Sequence, residues 1–235
     1  MPIVPCARAR TLLILSFLLP LSFPLPALAQ RRDPIGPYAL DVRAMFAKHK
    51  DQPSVATDLG VQPANIPTRS IGLLTGVHWY PLHAGQVAFG IGAQLAIARG
   101  SRTLEPEPAS GTTGTTGTTG TTGTTGPSPT VVRHFRSIAP ELSVNFGHRN
   151  GWSYISGGLG RSQLTVERAD QPVESPQGRS TIHYGAGARW FVNHHVAVSF
   201  DLRWYAVSEQ PASATGGVAQ PHTTFFVLSG GIGLR

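Results

Sequence analysis

The sequence predicts an all-β fold, an eight-stranded antiparallel up-and-down barrel that crosses a membrane. Three observations predict it. Eight stretches place apolar residues at every second position, against small, polar or charged ones. The gaps between these stretches alternate long and short along the chain. Beyond residue 30 no segment has the roughly 20 consecutive apolar residues of a membrane helix. A chain without such a helix can still span a bilayer by closing a sheet, because each strand then needs only about 9–11 residues and one apolar face.

The stretches are taken in order. The first is YALDVRAMFAKH, 38–49, with Leu40, Val42, Ala44 and Phe46 on one face and Asp41, Arg43 and Met45 on the other. The second is SIGLLTGVHWYPL, 70–82, with Val77 and Trp79 sharing a face. The third, QVAFGIGAQLAIARG, 86–100, sets Val87, Phe89, Ile91, Ala93, Leu95 and Ile97 against Ala88, Gly90, Gly92, Gln94 and Ala96. The fourth, VVRHFRSIAPELSVNFGH, 131–148, sets Ile138, Pro140, Leu142, Val144 and Phe146 against Glu141, Ser143 and Asn145. A closed barrel has no edge strand to host Pro140, so a bulge or a strand beginning after it is expected.

The fifth, GWSYISGGLGRSQLTVE, 151–167, alternates least regularly. The sixth and seventh form a hairpin, TIHYGAGARWFVNHHVAVSFDLRWYAV, 181–207. In it Ile182, Tyr184, Ala186, Ala188 and Trp190 oppose His183, Gly185, Gly187 and Arg189; Val196, Val198, Phe200, Leu202 and Trp204 oppose Ala197, Ser199, Asp201, Arg203 and Tyr205. The eighth, HTTFFVLSGGIGLR, 222–235, carries Phe226, Leu228, Ile232 and Leu234 on one face.

Long gaps fall at 50–69, 101–130, 168–179 and 208–221; short ones at 83–85, 149–150 and 192–194. Long external loops and short periplasmic turns keep this phase in outer-membrane barrels, whereas a soluble Greek-key sandwich has no reason to. Both termini then lie in the periplasm.

Export is expected from the start of the chain. Arg8 and Arg10 precede the apolar run LLILSFLLPLSFPL, and Ala27 and Ala29 fit a small-x-small cleavage site. Residues 1–29 are read as a signal peptide, 30–37 as a periplasmic N-terminal segment and 38–235 as the barrel. The net charge of +7 falls to about +5 once Arg8 and Arg10 leave, with no block of Lys or Arg, so nucleic acid is not an expected partner. The only cysteine, Cys6, lies in the signal.

An eight-stranded barrel has a narrow interior filled by side chains, so charges turned inward must pair. Parity assigns Asp41, Arg43, Glu141, Arg161, Arg189, Asp201 and Arg203 to an interior charge network. Glycines 90, 92, 157, 185, 187, 231 and 233 leave room for it. Trp79, Tyr80, Trp152, Tyr154, Trp190 and Phe191 lie beside the short turns and are expected at the membrane–water interface, which suits rings with an apolar body and a polar tip.

Residues 111–126, GTTGTTGTTGTTGTTG, match neither strand nor helix period and read as a low-complexity tract of the second external loop. Nine histidines show no metal-ligand spacing, and adjacent His194 and His195 would face opposite ways. No catalytic, cofactor or metal residues are assigned, because the P-loop, dinucleotide and G-x-S-x-G patterns are missing. A lipid-modifying enzyme would draw on His134, Ser137 and Glu141, or Ser162; His134 and Ser137, three apart, fall on opposite faces of a strand.

The stretch YGAGARWFVNHHVAVSFDLRWY resembles the penultimate hairpin of small bacterial outer-membrane β-barrel proteins, the group that includes the membrane domain of outer membrane protein A. The shared pattern is a glycine-rich strand ending in Arg and aromatics, Gly185 to Phe191, a short turn, and an alternating strand with an Asp/Arg pair, Val196 to Tyr205. FFVLSGGIGLR is similar to the family's closing strand. The resemblance implies an outer-membrane barrel with a structural or surface-interaction role. Implied partners are outer-membrane lipid and lipopolysaccharide, the barrel assembly machinery and periplasmic chaperones. The open alternatives are a narrow channel or small-solute binder, and a lipid-modifying enzyme. Family members commonly end in an aromatic; this chain ends in Leu234–Arg235, and the family's peptidoglycan-binding role is not an expectation for it.

Overall fold

The computed structural model describes residues 35–50, 52–104, 130–170, 177–211 and 219–235. The expected signal peptide and the Gly/Thr tract lie outside the described residues. The strands are β1 (Tyr38–Lys48), β2 (Arg69–Ala84), β3 (Val87–Thr103), β4 (Thr130–His148), β5 (Gly151–Arg168), β6 (Arg179–Phe191), β7 (Val196–Val207) and β8 (Thr223–Leu234). Each pairs antiparallel with the next, and β8 returns to β1 through pairs such as Val42↔Ile232, closing the barrel. Closure leaves no ladder of unpaired backbone groups, which is the condition for a sheet in hydrocarbon.

The period of two seen in the sequence becomes an outside and an inside. Leu40, Val42 and Phe46 on β1, Ile91 and Leu95 on β3, and Val198 and Phe200 on β7 are exposed on the outer wall. Asp41, Arg43, Gln94, Asp201 and Arg203, one residue along, are buried in the lumen. A strand tilted at ~40° gains about 2.5 Å of height per residue, so Tyr38 to Lys48 spans roughly 25 Å, the height of a lipid-facing apolar band.

Two prolines sit where the ladder can spare a donor. Pro81 lies in the one-residue register shift between Trp79 and Leu82, which turns both Trp79 and Leu82 outward. Pro140 faces outward in mid-strand. Toward β5 the pairing lapses at Ala139 and Pro140, yet the register is the same on either side, Ile138↔Arg161 and Glu141↔Gly158. The expected bulge or late strand start at Pro140 is therefore replaced by a local gap in one ladder. Glycines let β5 close against it: a Cβ on Gly158 would stand 2.1 Å from the Pro140 carbonyl oxygen, and one on Gly160 2.2 Å from that of Ile138.

The turns are tight on one side of the barrel. Gly85, with φ +64°, turns β2 into β3, and Arg149–Asn150 turn β4 into β5. On the other side, the first long connection folds into a short helix α1 (Pro53–Asp58) and a 3-10 turn (Pro63–Asn65). Val55, Ala56 and Ile66 of this connection pack on Val131 and Val166 at the rims of β4 and β5. Prolines 53 and 63 each start their helical turn, where a missing N–H costs nothing.

Candidate functional site

The lumen is layered. Toward the short turns, Ile35, Ala39, Tyr80, Ala88, Trp152 and Tyr154 form an apolar cluster, with Phe191 packed against it. Toward the long connections a second apolar cluster includes Met45, Leu74, Phe135, Tyr205 and Phe225. Phe135 meets Tyr205 and Phe225 edge-on at 5.3 and 4.9 Å between centroids. Between the two lies a layer of charge.

Three guanidinium groups and three carboxylates make up that layer. Arg189 chelates Asp41, with Nε donating to Oδ1 at 3.0 Å and Nη2 donating to Oδ2. Arg43 Nη1 stands 3.1 Å from Asp201 Oδ2 and donates to Tyr154 Oη at 2.7 Å; that hydroxyl donates to Asp201 at 2.7 Å. Arg203 donates from Nε to Asp201 Oδ1 (2.8 Å), from Nη1 to Glu141 Oε2 (2.5 Å) and from Nη2 to Ser156 Oγ (3.0 Å). His78 Nε2 pairs with the other oxygen of Glu141. With its amide nitrogen donating to Tyr205 Oη (2.8 Å), Gln94 turns its oxygen to Arg203 Nε (3.1 Å). All six ionic side chains are buried. Balanced numbers and bidentate geometry let charges persist out of water.

Six of the seven residues assigned to the network from sequence meet in this layer. Arg161 does not: it stands on the outer wall, exposed, two residues along β5 from Leu159. Gly157, paired with Leu142 and Tyr184, also faces out. The segment 157–160, Gly-Gly-Leu-Gly, offers a single side chain by which to read its faces, and Arg161 shares the outward parity of that Leu159. With Arg161 outside, bases and acids in the layer number three each. His78, Gln94, Tyr154, Ser156 and Tyr205 join the layer without having been assigned to it. Each shares its strand's inward parity, the signal by which it was legible.

The six aromatics divide. Trp79 and Trp190 project from the outer wall near the short turns. Tyr80, Trp152 and Tyr154 point into the lumen and are buried, and Phe191 packs beside them. Tyr80 and Trp79 are adjacent, so alternation sends only one of them to lipid. Tyr80 Oη instead accepts from Arg189 Nη1 at 3.2 Å, and the Tyr154 ring lies 4.4 Å from the Arg189 guanidinium carbon.

Other sequence candidates stay apart. His134 is half-exposed on the outer wall, 3.5 Å from Glu167, while Ser137 faces the lumen and Glu141 is engaged by Arg203 and His78. Ser162 is buried in the lumen. His194 and His195 lie in the β6–β7 turn. Among the described residues, no three His, Cys, Asp or Glu side chains converge as metal ligands.

The mouth on the side of the long connections carries a polar seam. Gln52 donates to Thr223 Oγ1 (2.6 Å) and accepts from Arg133 Nη2 (3.2 Å). His49, just past β1, packs on Phe225 at 4.5 Å and shares a hydrogen bond with Ser70 Oγ (3.2 Å). Burial, reinforced by Arg133, pushes the His49 imidazole down to about 3.

A closed eight-stranded antiparallel barrel with an apolar band outside and its charges paired inside has the architecture of a transmembrane β-barrel. No family model and no curated protein matches the chain. Among solved structures it is similar to Neisserial surface protein A, at 11% identity over 84% of this chain and 96% of that one, with a TM-score of 0.48. It is also similar to Ail, the attachment invasion locus protein of Yersinia pestis (11%, 85% and 98%, TM-score 0.46). A third is the N-terminal β-barrel domain of Pseudomonas aeruginosa OprF (10%, 83% and 96%, TM-score 0.34).

Proposed function

We propose that this protein is an integral outer-membrane barrel with a structural or surface-interaction role, its lumen plugged rather than conducting. The observation that carries the reading is the layered interior, an ionic layer held between two apolar clusters. An ion crossing the barrel would have to break paired charges and pass two dry layers, each a dewetting barrier. Interaction with the outside then falls to the long connections. Lipopolysaccharide, the assembly machinery and periplasmic chaperones are the partners this class of protein requires. Kinship to the membrane domain of outer membrane protein A in particular rests on the β6–β7 hairpin and the closing strand.

The test has three readouts. In broken cells the protein should partition with the membrane fraction, and refolded protein should migrate differently before and after boiling. In planar bilayers it should give no unitary conductance steps. Recovery without detergent in the soluble fraction would overturn the membrane reading; regular steps would overturn the plug.

A further inference from the structure

Arg161, expected in the lumen, belongs to a different set. Lys48, Arg69, Arg99, Arg136 and Arg161 are exposed on the outer wall of β1 to β5, one on each strand. Each is the next outward residue beyond a large exposed apolar one: Phe46, Ile71, Ile97, Ile138 and Leu159. All five therefore stand at the external border of the apolar band.

The register puts them at one height. Lys48 pairs with Arg69; Arg99 pairs with Ile71, Arg136 with Ile97 and Arg161 with Ile138. From β2 onward each cation sits two residues lower on the ladder than its neighbour. Strands 4.8 Å apart and tilted ~40° make a level ring descend about one and a quarter residues per strand. The steps nearly cancel the tilt, and the five form a collar over roughly 25 Å of circumference. At the same level β6, β7 and β8 carry Ser180, Ala206 and Thr224, so the collar covers one side of the barrel.

Among the described residues no acidic side chain neutralises the collar. Every guanidinium of the ionic layer has a carboxylate partner, and Arg168 beyond the collar pairs with Asp170 at 2.9 Å. Among the described residues none of the five makes a side-chain hydrogen bond or ion pair. Like charges on directly opposite residues, as Lys48 and Arg69 are, repel. An anion between them turns that repulsion into binding.

We propose that this collar binds the phosphate groups of outer-leaflet lipid headgroups. The depth selects the occupant: at the top of the apolar band, the anions available along about 25 Å of wall are lipid phosphates. The proposal rests on the membrane reading above.

The test uses the full barrel in detergent micelles, titrated with bis-phosphorylated lipid A or its dephosphorylated form, with bound lipid read by native mass spectrometry. Phosphorylated lipid should be retained and the dephosphorylated form not. A surface cation contributes about 1 kcal/mol toward anionic lipid, so each Arg→Gln change at 69, 99, 136 or 161 should weaken retention about fivefold. Retention should fall as salt rises. The fourfold Arg→Lys variant should keep binding, whereas loss in both Gln and Lys variants would overturn the proposal. So would equal retention of the dephosphorylated lipid, or displacement by inorganic phosphate or by a soluble sulfated polysaccharide at constant ionic strength. Heat-modifiable migration of the same samples separates the two readings: a barrel that folds and inserts but ignores the phosphates overturns the collar alone.

Discussion

Arg203 shows what a single residue does in this lumen. It touches one carboxylate on its own strand, β7, and reaches across the lumen to a second on β4 and a serine on β5. Replacing it with Met leaves Glu141 with His78 and Asp201 with Arg43, in a layer that then carries excess negative charge. Breaking one member of a buried ionic set costs about 3–5 kcal/mol. Urea unfolding of the vesicle-inserted barrel should show a loss of that size. The double variant Arg203→Met, Glu141→Gln should lose less than the sum of the two single changes, by about 0.5–3 kcal/mol of coupling. Additive losses would mean that Arg203 and Glu141 do not act as a pair. The parity of Glu141, Arg189, Asp201 and Arg203 was legible because each sits in a run whose other face is plainly apolar. Arg161 was not, because residues 157–160 before it hold one side chain, Leu159, among three glycines.

At the scale of elements, the strands were legible and the first external connection was not. The gap at 50–69 read only as a long connection, yet within it the chain folds into α1 and a 3-10 turn that cover the rims of β4 and β5. Val55, Ala56 and Ile66 are too few and too irregularly spaced to announce a helix. They become a packing surface only once Val131 and Val166 stand beneath them. This connection leaves β1 through His49, whose folded value of about 3 lies below the ordinary 6.5. The unfolded imidazole therefore binds the proton that the folded one refuses. His49 contributes fully above about 6.5, and its contribution is lost as pH falls toward 3. Amide exchange at Gly60 and Val61, both bonded within the connection, should quicken on acidification from about pH 7 to about pH 5. His49→Gln should flatten that dependence; an unchanged slope in the variant would assign it to another group.

For the whole molecule, three layers seal the lumen in series. Deleting residues 52–66 removes the cap of α1 but leaves both apolar clusters and the ionic layer in place. Such a barrel should remain electrically silent in planar bilayers. Conductance steps in the deletion variant alone would make the cap, and not the layered core, the seal. The collar is a property of this scale too, since it exists only when five strands are set side by side.

By itself the sequence determined the number of strands, their order, the phase of long and short connections and, on most strands, which face meets lipid. These are local quantities, carried by a period of two and by the spacing of breaks. Only the tertiary structure decided which inward charges meet, because partners such as Asp41 and Arg189 lie far apart in sequence and are joined by register and closure. It also decided the fates of Tyr80, Trp152 and Tyr154. Nearness to a turn says how deep an aromatic sits in the membrane, but the wall it points through is set by strand parity, and only a closed wall has an inside.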